Sequence, residues 1–194
     1  MNRQLILQTL WLSAPVIAAG IIHSAVIKAE LFPALARIPL DRKKTFRHRR
    51  IFGENKSLRG AIVMPLATII CTLLQAALAS QFEWARDLGF VDFHRISPVL
   101  WGALLGVGYV VGELPNSFLK RQLDVPPGAP APGIAGAFFW LLDQVDSLLG
   151  ILLFLGMVWV PPLPVALTML ALTLVIHPLT SLLMMALKLK SRIG

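Results

Sequence analysis

Two aspartates in an apolar stretch have the clearest potential for chemistry. Asp143 and Asp146 stand three positions apart in "LLDQVDSLLG", so a helix would place both carboxylates on one face. Two carboxylates held together at a membrane edge are costly unless a cation neutralises them, and Mg²⁺ favours such oxygens. The pair therefore predicts a magnesium site, with Glu113 as a third candidate ligand. The alternative is that both acids only favour the start of an apolar helix, where the helix dipole stabilises negative charge.

A basic, glycine-punctuated stretch, "RRIFGENKSLRGA" at 49–61, leads into an apolar run. Lysine and arginine offer charge-assisted donors to phosphate oxygens, and the N-terminus of a helix adds partial positive charge. This first motif predicts an anion site made of five residues: Asn55, Lys56, Ser57, Arg59 and Gly60. The alternative is that these cations set membrane topology or contact lipid headgroups.

The elements that must position these residues are membrane helices. The 194-residue chain is 56% hydrophobic and only 14% charged, with a mean hydropathy of +0.73, which is typical of membrane proteins. A span needs about 20 apolar residues. The sequence predicts a single all-α membrane domain over residues 1–194, with about five transmembrane helices: Leu5–Ile27, Gly60–Ala79, Pro98–Phe118, Phe138–Val160 and Leu163–Leu187. The first is longer than the apolar core of a signal peptide, so we expect it to be retained.

The distribution of basic residues predicts the topology. The loop from Lys28 to Arg59 holds ten of the 18 lysines and arginines, whereas the loop from Ser80 to Ser97 holds two basic and three acidic residues. Further basic residues follow the third and fifth helices: Lys120, Arg121, Lys188, Lys190 and Arg192. The positive-inside rule then places the N-terminus outside and the polar loops 28–59 and 113–137 in the cytoplasm. We therefore expect a multi-pass protein of the cell or inner membrane, with its active site facing the cytoplasm.

The excess of basic residues also indicates which partners the protein binds. The net charge of +8 would suit nucleic acid or anionic lipid, but long apolar segments favour lipid headgroups and phosphates and exclude nucleic acid. The stretch "GALLGVGYVVG" at 102–112 contains two small-xxx-small pairs, which let another helix backbone approach closely. These faces predict tight helix packing, and they also offer a surface for a homodimer.

The two polar stretches together resemble a known family. "SFLKRQL" followed by "LLDQVDSLL" resembles the signature of the integral-membrane CTP-dependent lipid cytidylyltransferases, and "RRIFGENKSLRG" resembles the corresponding motif of their CDP-archaeol synthase branch. The similarity covers roughly residues 30–150. The chain departs from the family pattern at four positions, where Glu54 replaces Asp, Ser57 replaces Thr, Leu58 replaces an aromatic residue and Glu113 replaces a Gly-Asp pair.

The resemblance implies a reaction and a set of roles. A lipid phosphate would attack the α-phosphorus of CTP, releasing pyrophosphate and forming a CDP-lipid whose chains lie between helices open to the bilayer. Asp143 and Asp146 would coordinate Mg²⁺, with Glu113 as a further ligand. Lys120 and Arg121 would bind phosphate, and Ser117 would donate a hydrogen bond. Lys56 and Arg59 would hold either the triphosphate or the lipid phosphate.

Two other functional classes remain open at this stage. An alcohol phosphatidyltransferase would normally carry a longer array of aspartates over two helical turns, which this sequence lacks. A transporter or a scaffold would explain the hydropathy but not the two motifs.

Overall fold

The computed structural model describes residues 2–186, and nearly all of its regular structure is helical. Seven helices and a two-stranded hairpin follow one another along the chain: α1 (Arg3–Lys28), α2 (Pro33–Ala36), β1 (Thr45–Phe46), β2 (Arg49–Arg50), α3 (Leu58–Gln81), α4 (Glu83–Asp87), α5 (Pro98–Gln122), α6 (Gly133–Leu155) and α7 (Leu163–Ala186). Within the described residues, five helices are long and apolar enough to cross a membrane: α1, α3, α5, α6 and α7. The predicted fold class and the five spans are thereby confirmed.

The helix bounds differ from the sequence prediction mainly in α6. This helix runs from Gly133 to Leu155 rather than from Phe138 to Val160. It begins directly after Pro132. Beyond its end, the hydrogen bond from Met157 N–H to the carbonyl oxygen of Phe154 closes a turn. The two prolines at 161–162 then prevent the helix from continuing. The predicted last residue of the fifth span and the basic residues after it (Leu187, Lys188, Lys190 and Arg192) lie outside the described residues.

Helix α5 is the central element, because glycines on its two sides bring neighbouring backbones close. A Cβ on Gly106 would lie 2.5 Å from the Cα of Pro65 in α3, and a Cβ on Gly108 would lie 2.9 Å from the carbonyl oxygen of Gly150 in α6. Gly102 and Gly112 make corresponding approaches to α3 and α6. The tight packing expected from the small residues is therefore used inside one chain, and a homodimer through these faces stays a prediction.

The interior of the bundle and its outer faces are both apolar. Trp101, Leu105 and Leu155 are almost completely buried, and they belong to a core formed mainly by α1, α5, α6 and α7. On the outer faces Leu74 and Leu153 are 62% and 71% exposed, among many other large apolar side chains. A soluble domain rarely exposes so much apolar surface, whereas hydrocarbon accepts it.

The polar segment between α1 and α3 folds over the end of α5. Its hairpin pairs Thr45 with Arg50 and Phe46 with Arg49, and the two turn residues both have positive φ, as two-residue hairpin turns require. Arg49 donates hydrogen bonds to the carbonyl oxygen of Gln122 and, at 2.5 Å, to Asp124. The hairpin thereby attaches the first motif to the C-terminal end of α5.

Candidate active site

The two aspartates lie in the middle of α6. Since the helix begins at Gly133, Asp143 stands ten residues and Asp146 thirteen residues inside it. The expectation that they sit at the start of the apolar helix is therefore wrong, because the five residues before Phe138 all belong to α6. Stabilisation by the dipole falls off within the first turn, so helix capping does not explain these acids.

Asn116 joins the two carboxylates. Its side-chain Nδ2 donates to Asp143 Oδ1 at 2.6 Å and to Asp146 Oδ2 at 2.7 Å. One amide nitrogen thus contacts both acids, which places the two carboxylates side by side at the α5–α6 interface. Asn116 is not among the predicted site residues, although its position three residues after Glu113 and four before Lys120 puts it on the same face of α5.

Two lysines, one from each motif, neutralise the acids. Lys120 Nζ lies 2.5 and 2.6 Å from the two oxygens of Asp143, and Lys56 forms an ion pair with Glu113. Lys56 belongs to the loop before α3, and Glu113 lies on α5 one turn before Asn116. The structure therefore brings the two separate motifs together around one cluster of charged groups.

Arg121 follows Lys120 on α5 and is buried. Its side chain is only 8% exposed, and both Nε and Nη1 are buried without a hydrogen bond in the described part of the chain. The guanidinium packs beneath the loop at Gly53, where an added Cβ would lie 3.1 Å from Nη1. Gly53 has a φ of +95°, so both the conformation and the lack of space favour glycine.

The rest of the first motif turns towards α1. Arg59 Nη1 donates to the carbonyl oxygen of Leu31 at 3.2 Å, while its Nε is buried without a partner among the described residues. Gly60 faces His23, whose Nε2 would be 3.4 Å from an added Cβ. This is an ordinary contact distance, so Gly60 is not required by space alone.

Three other predicted residues occupy peripheral positions. Asn55 is exposed in the loop, and Ser57 is half-buried immediately before α3. Ser117 is half-buried on α5, between Glu113 and Lys120 in the sequence.

The buried polar atoms left without partners mark the same region. Among the described side chains of residues 2–186, they belong to Arg59, Asn116 and Arg121. Arg59 and Arg121 lie within the two motifs, and Asn116 directly precedes the second. Buried polar groups normally find partners, and each exception calls for an explanation such as a bound ligand.

Asp41, which the sequence analysis missed, organises the first motif. Its buried carboxylate accepts two hydrogen bonds from Arg50 at 2.7 and 3.1 Å and further bonds from the backbone N–H groups of Lys43, Phe52 and Gly53. Burial acts to raise the pKa of Asp41, but these hydrogen bonds outweigh it and lower the pKa to about 2. An isolated aspartate in a basic loop gives no sequence signal for this role.

The acid pair has the chemistry expected of a magnesium site. Asp143 and Asp146 lie together, and the buried Oδ1 of Asn116 beside them has no partner in the described part of the chain. Carboxylate and amide oxygens are ligands that Mg²⁺ accepts. Within residues 2–186 no group of three or more acids, histidines or cysteines is arranged to hold an ion, and Glu113 is paired with Lys56. Asp143 is likewise paired with Lys120, so both lysines lie next to candidate ligands of the ion.

A cavity of about 350 Å³ lies between α1, α5, α6 and α7. Its lining is mainly apolar, with a few polar groups that include His23, Tyr109, Ser147 and His177. Ser147 connects the cavity to the site, because its N–H donates to Asp146 Oδ1 at 2.6 Å. The cavity therefore lies within the bundle and reaches Ser147, the residue that follows Asp146 in α6.

Comparison with known proteins assigns this arrangement to a family of enzymes. A family model described as CarS-like, CDP-archaeol synthase, matches residues 2–193. The chain belongs to this family, and it is an integral-membrane nucleotidyltransferase, as the two motifs predicted.

Individual relatives agree with this assignment. The chain is 34% identical over 155 residues to the CDP-archaeol synthase of Methanopyrus kandleri, covering 78% of this chain and 77% of the relative. It is 33% identical over 178 residues to that of Pyrobaculum calidifontis, covering 91% and 90%. A solved structure described as an intramembrane enzyme for archaeal membrane lipids biosynthesis superposes with a TM-score of 0.63 at 25% identity, covering 91% of this chain and 94% of the other.

Proposed function

We propose that this protein transfers the cytidylyl group of CTP to the phosphate of a lipid, either an isoprenoid-glycerol phosphate or a phosphatidate-like lipid. Two ion pairs support this proposal, one between Lys56 and Glu113 and one between Lys120 and Asp143. They bring both family motifs together in one membrane-embedded site. Membership of the CDP-archaeol synthase family supports the same reaction. Neither a transporter nor a scaffold needs this arrangement, and no observation favours another lipid-phosphate transferase.

The reaction joins two phosphates. An oxygen of the lipid phosphate forms a bond to the α-phosphorus of CTP, the bond from that phosphorus to the bridging oxygen breaks, and pyrophosphate leaves. Because the attacking phosphate is already an anion, no general base is required. The protein accelerates the reaction by holding the two phosphates in line and by stabilising their charge.

The lysines supply much of that stabilisation. Lys56 and Lys120 pair with carboxylates, and each would exchange its carboxylate for phosphate oxygens when CTP or the lipid phosphate binds. The unpaired donors of Arg121 and Arg59 offer further hydrogen bonds to phosphate. Ser117, together with Asn55, Ser57 and Gly60 at the loop, would complete the binding of the two phosphates.

We infer that Asp143 and Asp146 hold Mg²⁺, with Asn116 beside them. Glu113 would become a further ligand once Lys56 has exchanged it for a substrate phosphate. The bound ion would neutralise charge on the reacting phosphates. Asn116 keeps both carboxylates side by side and limits their rotation. The mid-helix position of the acids fixes their spacing to one helical turn.

A direct assay tests the proposed reaction. Purified protein is incubated with labelled CTP, Mg²⁺ and a panel of lipid phosphates that carry isoprenoid ether or acyl ester chains. The expected products are a CDP-lipid, identified by mass spectrometry, and pyrophosphate. The absence of a CDP-lipid with every lipid phosphate would contradict the proposal.

The site is proposed to face the cytoplasm, where CTP is available. The basic segment between α1 and α3 supports this orientation through the positive-inside rule. A cysteine introduced at the exposed hairpin residue Arg47, in a Cys71→Ala background, should react with an impermeant reagent only from the cytoplasmic side. Labelling from the outside would contradict the proposed orientation of both motifs.

A further inference from the structure

His23 is a polar side chain within the bundle that belongs to neither motif. It lies on α1, five residues before the helix ends at Lys28, and it lines the cavity between α1, α5, α6 and α7. The two residues before it, Ile21 and Ile22, are 43% and 42% exposed on the apolar outside of the bundle. The imidazole therefore lies at the level of the membrane-spanning segment and not in the polar loop.

The imidazole of His23 has no hydrogen-bond partner among residues 2–186. His177, also on the cavity wall, differs, because its Nδ1 lies 3.4 Å from the carbonyl oxygen of Gln144. Ser24, next to His23 on α1, donates from its hydroxyl to the carbonyl oxygen of Gly20 at 3.0 Å. An unpartnered polar group in a membrane-spanning helix is costly, and ionisable residues kept there commonly serve a function.

Charged groups of the first motif and of α5 lie near His23. Its ring is next to Gly60, where an added Cβ would be 3.4 Å from Nε2 and 3.5 Å from Cε1. The charges that act on the imidazole are those of Lys56, Arg59 and Glu113. Lys56 is paired with Glu113, whereas Nε of Arg59 is buried without a partner in the described part of the chain. Donors on this side of the site therefore exceed the acceptors that the described residues supply.

We propose that His23 is a further catalytic residue, whose imidazole donates a hydrogen bond to the phosphate of the lipid substrate. This inference rests on the proposed function. A phosphate has several acceptor oxygens and a negative charge, so it can accept from the imidazole and from Nε of Arg59 at the same time. A neutral imidazole has one N–H and a protonated imidazole has two, so the bond requires no proton transfer.

The position of His23 favours the phosphate of the lipid over the triphosphate of CTP. The outer face of α1 is apolar and borders the bilayer, and a lipid phosphate reaches the site from the bilayer. CTP is soluble, so it approaches from the polar segment between α1 and α3. A donor on α1 within the span therefore meets the lipid substrate first.

The test compares variants that remove or keep a donor. His23→Leu removes it and suits an apolar interior, whereas His23→Gln keeps an amide donor. Binding of an isoprenoid-glycerol phosphate is measured by native mass spectrometry without CTP, and the KM values of this lipid and of CTP are measured in the CDP-lipid assay. The same lipid without its phosphate is the control ligand. Ser24→Ala is the control variant, because the Ser24 hydroxyl is already bonded to its own helix.

The expected result is a loss specific to the lipid phosphate. His23→Leu should weaken its binding and raise its KM by at least about tenfold, as for the loss of a hydrogen bond to a charged group. The KM of CTP and the binding of the lipid without phosphate should stay unchanged. His23→Gln should lose less than His23→Leu, and Ser24→Ala should match the wild type.

Other results would overturn the role of His23. They are unchanged binding of the lipid phosphate by His23→Leu, an equal loss for the lipid without phosphate, or a loss confined to CTP. A failure of the proposed reaction is distinguishable, because the wild type would then bind lipid phosphate but form no CDP-lipid. If His23→Leu does not fold, His23→Ala replaces it in every comparison.

Discussion

The carboxylate of Asp41 and the carboxylates of Asp143 and Asp146 are built in opposite ways. Asp41 lies in the loop, and five hydrogen bonds from the guanidinium of Arg50 and three backbone N–H groups satisfy it completely. The pair in α6 accepts hydrogen bonds from Asn116, Lys120 and Ser147, and the buried Oδ1 of Asn116 beside it has no partner in the described part of the chain. A carboxylate held by fixed backbone donors holds a loop together, whereas a carboxylate held by a flexible lysine can exchange that partner for a ligand.

The partners of the two sites differ in the same way. Arg50 is fixed by two hydrogen bonds to Asp41. Lys120 is a flexible point charge, which can leave a carboxylate for a phosphate without rebuilding the backbone. The comparison therefore predicts that changes at Asp41 affect stability and changes in α6 affect turnover.

The largest effect is expected from the acid pair. Asp143→Asn and Asp146→Asn keep the size of the side chain but remove its charge, so each should lower turnover by at least about 100-fold through lost stabilisation of the phosphates. Stability should be retained or increase, because neutral side chains are less costly inside the bundle. CDP-lipid formation and thermal melting in detergent measure the two properties. Asp92→Asn, in the loop before α5, is the control; turnover close to wild type in both variants would refute the metal-site proposal.

The second-largest effect is expected on the stability of the loop that contains Asp41. Asp41→Asn removes the charge-assisted bonds to Arg50 and should destabilise the loop by about 2 kcal/mol. Hydrogen exchange of the amides of Phe52 and Gly53 should accelerate accordingly, while exchange in α6 stays unchanged. If Asp41→Asn left loop exchange unaltered, the contrast between the two kinds of carboxylate would fail.

Acid should produce the same loss in the wild type. The pKa of Asp41 is lowered to about 2, so its contribution to stability is complete above the pKa of about 4 expected in the unfolded chain and is lost as the pH falls towards 2. The difference in loop exchange between the wild type and Asp41→Asn should therefore shrink over this range. A difference that is constant from pH 5 to pH 2 would contradict the assignment.

The smallest effect is expected from a pair of matched arginine variants. Arg59 has an unpartnered Nε, and Arg59→Lys should reduce kcat/KM roughly tenfold because lysine lacks the planar fork of donors that binds phosphate. Arg50→Lys should instead weaken the loop with a smaller effect on kcat/KM. Unchanged kinetics in Arg59→Lys would favour the interpretation that this residue only sets topology.

The sequence was sufficient for the architecture and for the chemical nature of the site. Hydropathy predicts helices because a bilayer leaves few alternatives for a backbone, and five spans followed from the length and composition of the apolar segments. The acids and lysines could be found because charges in an apolar helix are rare. The start of α6 was missed because "GIAGA" at 133–137 is only weakly apolar and follows a proline-rich connector.

The remaining features depend on contacts that no local pattern contains. Asn116 and Asp41 are ordinary polar residues until the fold brings donors and acceptors to them from distant positions. The pairing of Lys56 with Glu113 joins residues on two elements separated by a complete membrane span.

The close packing of α5 also has a consequence for biosynthesis. Its Gly102 and Gly106 face meets α3, which is made earlier, whereas its Gly108 and Gly112 face must wait for α6, which is made later. The nascent chain thus inserts α5 with one side already covered and the other vacant. When α6 inserts with its two aspartates, the amide of Asn116 and the ammonium of Lys120 already lie on the uncovered side of α5. The two acids can therefore find hydrogen-bonding partners as they enter the bilayer.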